Sequence, residues 1–158
     1  KNTYLLDLGS YPGGWSQVAS QIISSGRIMS IDIKKMEPIK NVKFFKGDVL
    51  SKETKFAVLE YFKSNLDVIL SDMAADTTGN KSLDSIRTNQ LCADVINFSK
   101  ETLKPKGVLV SKIFMGEDFL EVKNLAKSTF NKVNFFKPES SRKESKETYL
   151  HCEILKSL

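Results

Sequence analysis

The sequence is poor in the residues that would announce a metal or disulfide protein: two cysteines and one histidine in 158 residues. Cys92 and Cys152 are too few for a disulfide framework and have no metal-like spacing, so they read as reduced thiols of an intracellular protein. His151 stands next to Cys152, but one histidine and two distant cysteines cannot build a zinc site without help from carboxylates. Both residues read as packing, and no metal is expected. No apolar run approaches the roughly 20 residues that cross a bilayer, and no leader-like pattern opens the chain, so no membrane partner is expected. There is no internal repeat, linker or second apolar core. An apolar fraction of 41% excludes a disordered tail, a collagen-like repeat and a coiled coil. A chain of 158 residues can bury a sizeable core, and one domain spanning 1–158 is expected.

What the chain does have is an uneven excess of cations. Its net charge is +5. Lys123, Lys127, Lys132, Lys137, Arg142, Lys143 and Lys146 are opposed between them only by Glu139 and Glu144, so this window holds the whole excess. Such a block reads either as a solvated lysine face or as a surface for a polyanion.

Short apolar runs alternate with amphipathic stretches, which predicts an α/β domain with a largely parallel sheet. The strands expected are Tyr4–Leu8, Arg27–Asp32, Val42–Phe45, Leu66–Ser71 and Val108–Phe114, followed by two late ones, Lys132–Phe136 and Thr148–Leu155, seven in all. A helix is expected from Gly14 to Ser25 with Gly26 as its stop, and another presenting Phe56, Leu59 and Phe62 on one face. Leu91, Val95 and Phe98 mark a third helix, ended by a turn at Pro105-Lys-Gly107, and a fourth covers Phe119 to Phe130.

Gly9, Gly13 and Gly14 sit between the first strand and the first helix, where small residues let a ligand approach the backbone and unpaired helix N–H groups favour an anion. Tyr11 breaks the dinucleotide fingerprint G-x-G-x-x-G. Gly9 to Gly14 has the P-loop spacing, but Trp15 stands where the phosphate-binding lysine belongs, which argues against an NTPase. S-adenosylmethionine (SAM) has no phosphate, and its amino acid end can use such a loop. Asp7 ends the first strand and suits the amino group, Asp32 ends the second and suits ribose hydroxyls, and Asp48 follows the third and suits the adenine amino group. Singly, each acid is as well explained as a turn or cap residue; together they point to an adenosyl ligand.

Three further residues fall on the same sheet edge. Asp72 ends the fourth strand, Lys112 lies within the fifth, and Glu147 opens the last. A lysine in an apolar strand is costly to bury unless paired, so Lys112 is either a snorkelling or salt-bridged lysine, or a functional group with Asp72 and Glu147 beside it.

These segments resemble a known family. Leu6-Asp-Leu-Gly-Ser-Tyr-Pro-Gly-Gly-Trp-Ser-Gln17, Ser71-Asp-Met-Ala74, Ser111-Lys-Ile-Phe114, Lys137-Pro-Glu-Ser-Ser-Arg142 and Ser145-Lys-Glu-Thr-Tyr149 are similar, in order along the whole chain, to the FtsJ/RrmJ family of SAM-dependent RNA ribose 2′-O-methyltransferases. The resemblance implies a Rossmann-like methyltransferase fold, a seven-stranded mostly parallel sheet flanked by helices. It also implies SAM as cofactor and, as in bacterial members, a uridine of large-subunit ribosomal RNA as target, acted on in the cytoplasm by a monomer. It assigns Asp72, Lys112 and Glu147 to a catalytic Lys-Asp-Lys-Glu tetrad, and cofactor contacts to Gly13, Trp15, Asp32, Asp48 and Asp72. Trp15, read from the residues alone, is a packing residue. The tetrad's first lysine belongs ahead of the first strand, and Lys1 starts too close to the sheet to supply it, so an N-terminal segment is expected upstream. Ser10-Tyr11 and Ala75 depart from the family's usual alanines and proline without removing a reactive group. The basic window, through Lys127, Lys137, Arg142, Lys143 and Lys146, is expected to meet RNA phosphates. The same tetrad serves tRNA and mRNA-cap enzymes, and an inactive RNA- or ribosome-binding relative is the non-enzymatic alternative. A base N-methyltransferase is disfavoured because Asp72-Met-Ala-Ala75 lacks the proline-aromatic pair such enzymes carry there.

Overall fold

The computed structural model describes residues 2–157, so Lys1 lies outside the described residues. Seven strands form one sheet: β1 (Thr3–Leu8), β2 (Gly26–Asp32), β3 (Val42–Lys46), β4 (Leu66–Ser71), β5 (Leu103–Phe114), β6 (Phe130–Phe136) and β7 (Glu147–Leu155). Their order is β3-β2-β1-β4-β5-β7-β6, parallel throughout except for β7, which runs antiparallel to both its neighbours. Four helices complete the fold: α1 (Gly14–Ile22), α2 (Lys52–Phe62), α3 (Lys81–Thr102) and α4 (Phe119–Thr129).

Strand alternation sorts the apolar residues into two cores. Leu6, Leu8, Met29, Ile31, Ile69, Leu109 and Ile113 pack with Val58 and Phe62 of α2, Val95 and Ile96 of α3, and Val122 and Ala126 of α4. On the opposite face Leu5 and Ile28 pack with Ala19 of α1, flanked by Val68 and Leu70. Because side chains alternate along a strand, Asp72, Lys112, Glu147 and Tyr149 fall on the α1 face. The strand order reverses direction between β1 and β4, and the carboxyl edge there is where ligands bind in open α/β sheets.

Several sequence expectations are corrected. The first helix ends at Ile22, not Ser25, with Ile23 as its cap. Gly26 is not its stop but the first residue of β2, at φ 131°, where a side chain would fall on the carbonyl oxygen of Thr3. Its glycine serves the close approach of two strands. The buried stripe of α2 is Thr54, Val58 and Phe62, whereas Phe56 is 70% exposed. At 100° per residue Phe56 lies about 120° around the helix from Phe62, off the core-facing side. Pro105-Lys-Gly107 is not a turn; it lies inside β5 as an irregularity, since Leu66 pairs with Leu103 but Val68 with Val108. The extra residues bulge out of the ladder, which places a proline without costing a hydrogen bond.

Candidate active site

The glycine turn is built by its contacts with β2. Gly9 and Ser10 donate backbone N–H groups to the Ile31 carbonyl at 2.9 and 3.1 Å. Asp32 closes the turn, its Oδ2 accepting from Tyr11 N at 2.9 Å and its Oδ1 from Lys34 N at 2.8 Å. A Cβ on Gly9 would run into the Met73 side chain, and one on Gly13, at φ 117°, would come within 3.0 Å of Ile39 and Met36. The close Gly9–Met73 approach sets Asp72, the residue before Met73, next to the turn. The first turn of α1 carries no acidic residue and no side-chain cap, so its N–H groups are left for a ligand. A cradle closed to side chains, opening on uncapped helix N–H groups, fits a carboxylate-bearing ligand such as SAM.

The acids proposed around that turn are not equivalent. Asp32 is half-buried and, with two backbone donors already bound, retains lone pairs for hydroxyl donors. Asp48 is exposed and its Oδ1 accepts from Leu50 N at 3.0 Å. Asp7 is 1% exposed and lies beneath the turn rather than on its surface. Its Oδ2 accepts from Ser16 Oγ at 2.6 Å, while Oδ1 has no partner among the described residues.

Burial pushes the Asp7 carboxyl up from an ordinary 3.8 to about 6, against the opposing hydrogen bond from Ser16. The folded state therefore binds this proton more tightly than the unfolded state. The group's stabilising effect is complete below about 3.8 and is lost as pH rises through about 6. Asp7→Asn removes that titration. Urea unfolding of both proteins from pH 4 to 7 should show wild type losing about 2.4 kcal/mol relative to the variant across the window. Parallel profiles would show that Asp7 does not carry the shift.

Beyond the turn, three charged side chains converge. Ser71 pairs with Ser111, which brings Asp72 level with Lys112, and Phe114 pairs with Glu147, which puts the glutamate one step along the same face. Lys112 Nζ lies 3.2 Å from Asp72 Oδ1 and 3.3 Å from Glu147 Oε2, and its side chain is only 12% exposed. The sequence-nominated trio is thus one cluster, a shielded ammonium between two partly open carboxylates.

Sequence reasoning gave no role to Tyr149, although it closes the last quoted motif. Tyr149 is opposite Lys112 in the β5–β7 ladder and donates its hydroxyl to Asp72 Oδ1 at 2.7 Å. Burial and the Asp72 carboxylate drive its phenol well above the usual range, so it stays a donor. Its ring lies 5.6 Å from Trp15 on one side and 5.6 Å from Phe136 on the other. The available signal was alternation: Tyr149 follows Glu147 by two residues and must share its face.

The basic window divides. Lys127, in the last turn of α4, is at the end of the sheet opposite the carboxyl edge, and Lys132 pairs with Glu153 at 3.8 Å. Lys137, Arg142, Lys143 and Lys146 are all exposed on the segment between β6 and β7, which returns to the cluster at Glu147. Lys137 is tied there by a hydrogen bond to the Ser145 carbonyl.

His151 lies 3.6 Å from Glu153, and Cys92 and Cys152 are buried free thiols. Burial raises their thiols to about 11 and about 12. Among the described residues no group of three His, Cys, Asp or Glu could hold a metal ion, and no helix is long and apolar enough to cross a membrane.

The chain is similar to known methyltransferases. The family model of the FtsJ-like methyltransferases matches residues 1–154. A ribosomal RNA large subunit methyltransferase E of Pelagibacter ubique is 49% identical over 152 residues, 96% of this chain and 75% of its own length. A solved structure from Plasmodium falciparum, assigned as a ribosomal RNA methyltransferase, superposes with TM-score 0.85 at 29% identity, covering 98% of this chain and 88% of that one. Human methyltransferase-like protein 13, solved in complex with SAH, shares the fold at TM-score 0.70 and 18% identity, over 98% of this chain and 72% of its own.

Proposed function

The chain belongs to the FtsJ-like methyltransferase family, and from that premise we propose that it methylates a ribose 2′-hydroxyl of large-subunit ribosomal RNA, a uridine, with SAM as donor. The observation that carries this reading is Lys112 held between Asp72 and Glu147 beside the glycine turn. The large-subunit target rests on the likeness to the Pelagibacter ribosomal RNA large subunit methyltransferase E. In this reading the protein acts in the cytoplasm, as a monomer.

When bound, SAM supplies a methyl group on a positively charged sulfur, an already activated electrophile. The first-turn N–H groups of α1 would hold its carboxylate, Asp32 its ribose hydroxyls and Asp48 its adenine amino group. Trp15, whose ring contacts Tyr149, would pack against it. Asp72 borders the cofactor side of the cluster, and Tyr149 fixes that carboxylate through one oxygen. Lys112 donates from Nζ to the 2′-oxygen and aligns it for in-line attack, and such alignment can contribute several kcal/mol; as the oxygen–carbon bond forms the carbon–sulfur bond breaks, and the hydroxyl proton passes to solvent. Held 3.2 Å from Asp72 and 3.3 Å from Glu147, Lys112 orients the hydroxyl and balances charge developing on it. The resemblance gives the tetrad a further lysine, from ahead of β1. RNA is preferred to DNA because only RNA offers the hydroxyl.

The test is transfer of tritiated methyl groups from SAM to ribosomal subunits, free ribosomal RNA and tRNA. Label is expected in large-subunit RNA, at a ribose whose 3′ phosphodiester then resists alkaline cleavage. Label confined to tRNA, or carried on a base, would overturn the assignment.

A further inference from the structure

The carboxyl end of β5 carries a feature that the transfer chemistry leaves unused. Phe114 is on the same face as Lys112, two residues and about 6.6 Å further toward the edge. Its backbone is locked by Asn89, which is fully buried, donates from Nδ2 to the Phe114 carbonyl at 2.9 Å and accepts from its N–H at 2.8 Å. Phe114 lines a cavity of about 590 Å³ between the start of α3, the turn after β5 and the segment before β7. That volume is in the range of small-molecule sites, about 300–1,000 Å³.

Three features of the lining identify the ligand class. Ser85 Oγ is shielded from solvent and has no hydrogen-bond partner among the described residues, a state that a buried hydroxyl rarely keeps. Gly116 keeps that wall open, because any side chain there would collide with Ser85 Oγ. The charged lining residues are Lys81 and Lys146 against Asp84, Glu117 and Glu144, a net negative set. Such a lining disfavours a phosphate and suits a neutral planar group with N–H donors and an aromatic face. The Asp84 carboxylate is held in place by Thr78, whose N–H and hydroxyl donate to it at 3.0 and 2.7 Å.

We propose that this cavity receives the base of the nucleotide whose ribose is presented to Lys112, with Phe114 as its stacking platform and Ser85 at its edge. The proposal deepens the ribose-methyltransferase reading and rests on it. Phe114 pairs with Glu147, whose carboxylate is 3.3 Å from Lys112 Nζ, and Lys146 lines the cavity, so the cavity adjoins the charged cluster. Sequence preference at the target would then come from this cavity, while the basic segment between β6 and β7 supplies phosphate contacts.

The experiment crosses enzyme variants with RNA variants. The large-subunit RNA labelled in the transfer assay is prepared with its target nucleotide intact or abasic. Base–aromatic stacking predicts that loss of the base lowers wild-type kcat/KM about 10- to 100-fold, with the KM for SAM unchanged. Phe114→Ala should lose a similar factor on intact RNA and almost nothing more on abasic RNA. Phe114→Leu, which keeps apolar bulk, guards against misfolding and should behave the same way, and Phe114→Tyr should retain activity. An abasic penalty of equal size in wild type and both truncations would overturn the proposal. Wild-type enzyme that labels no ribose would instead overturn the reading beneath it, and the cavity assignment with it.

Discussion

Lys112→Ala should abolish methyl transfer, with kcat falling about 10³-fold, inside the range of about 10²- to 10⁴-fold for a positioned proton-handling side chain. SAM affinity should stay within about threefold of wild type, because Asp72 is the one assigned cofactor residue paired with Lys112 among the described residues, and Tyr149 still holds its carboxylate. The two carboxylates left behind would face each other without their cation, so some loss of stability is expected alongside. Thermal unfolding must therefore be measured beside turnover. Lys112→Met, similar in length and uncharged, separates charge from bulk and should be as inactive as the alanine variant. Lys112→Arg should not restore wild-type turnover, because a planar fork cannot occupy the position of a compact ammonium between Asp72 and Glu147. Turnover within tenfold of wild type for a folded Lys112→Ala would remove the residue from the mechanism.

Reversing charge at Arg142 and Lys143 should weaken RNA binding about 10- to 100-fold at moderate salt. Both side chains are exposed on the segment leading into Glu147. If each meets a phosphate, the slope of log affinity against log salt should become shallower by roughly 1.4 to 1.8, the contribution of two contacts. Lys127→Glu is the internal comparison. It stands in the same basic window of sequence but at the far end of α4, so its effect should stay within about twofold. The measurement is fluorescence anisotropy of a labelled large-subunit RNA fragment over a salt series. An unchanged slope in the Arg142→Glu/Lys143→Glu protein would show that RNA approaches from another side.

The two outcomes depend on different kinds of information. Asp72, Lys112 and Glu147 were legible as candidates because each breaks a rule of apolar strand composition or marks a strand end, and the motifs around them read as a set. Their convergence was not legible. It depends on Ser71 pairing with Ser111 and Phe114 with Glu147, registers no local pattern specifies. The basic window shows the converse. Seven cations within 24 consecutive residues look like one surface, but a helix and a strand carry Lys127 and Lys132 away from the edge where Arg142 and Lys143 lie.

Local signals also misled where tertiary contact overrode them. Gly26 after a helical pattern resembles a helix stop, yet the contact that requires glycine there is with Thr3, 23 positions away in the chain. Phe56 resembles a core residue by type and spacing, yet the helix it belongs to turns it to solvent. Pro105 and Gly107 have turn chemistry, and the neighbouring strand accommodates them as a bulge.

The poverty in cysteine and histidine, the alternation of strand and helix, the glycine turn without a phosphate-binding lysine, and the family likeness were determined by the sequence alone. Composition and periodicity are local properties, and they limit chemistry and fold class directly. Tertiary structure alone decided that Tyr149 grips Asp72, that Asp7 is buried beneath the glycine turn, and that Phe114 and Ser85 border one cavity. Those facts depend on distances between residues remote in the chain, which are set when strands pair and the two cores close on the sheet.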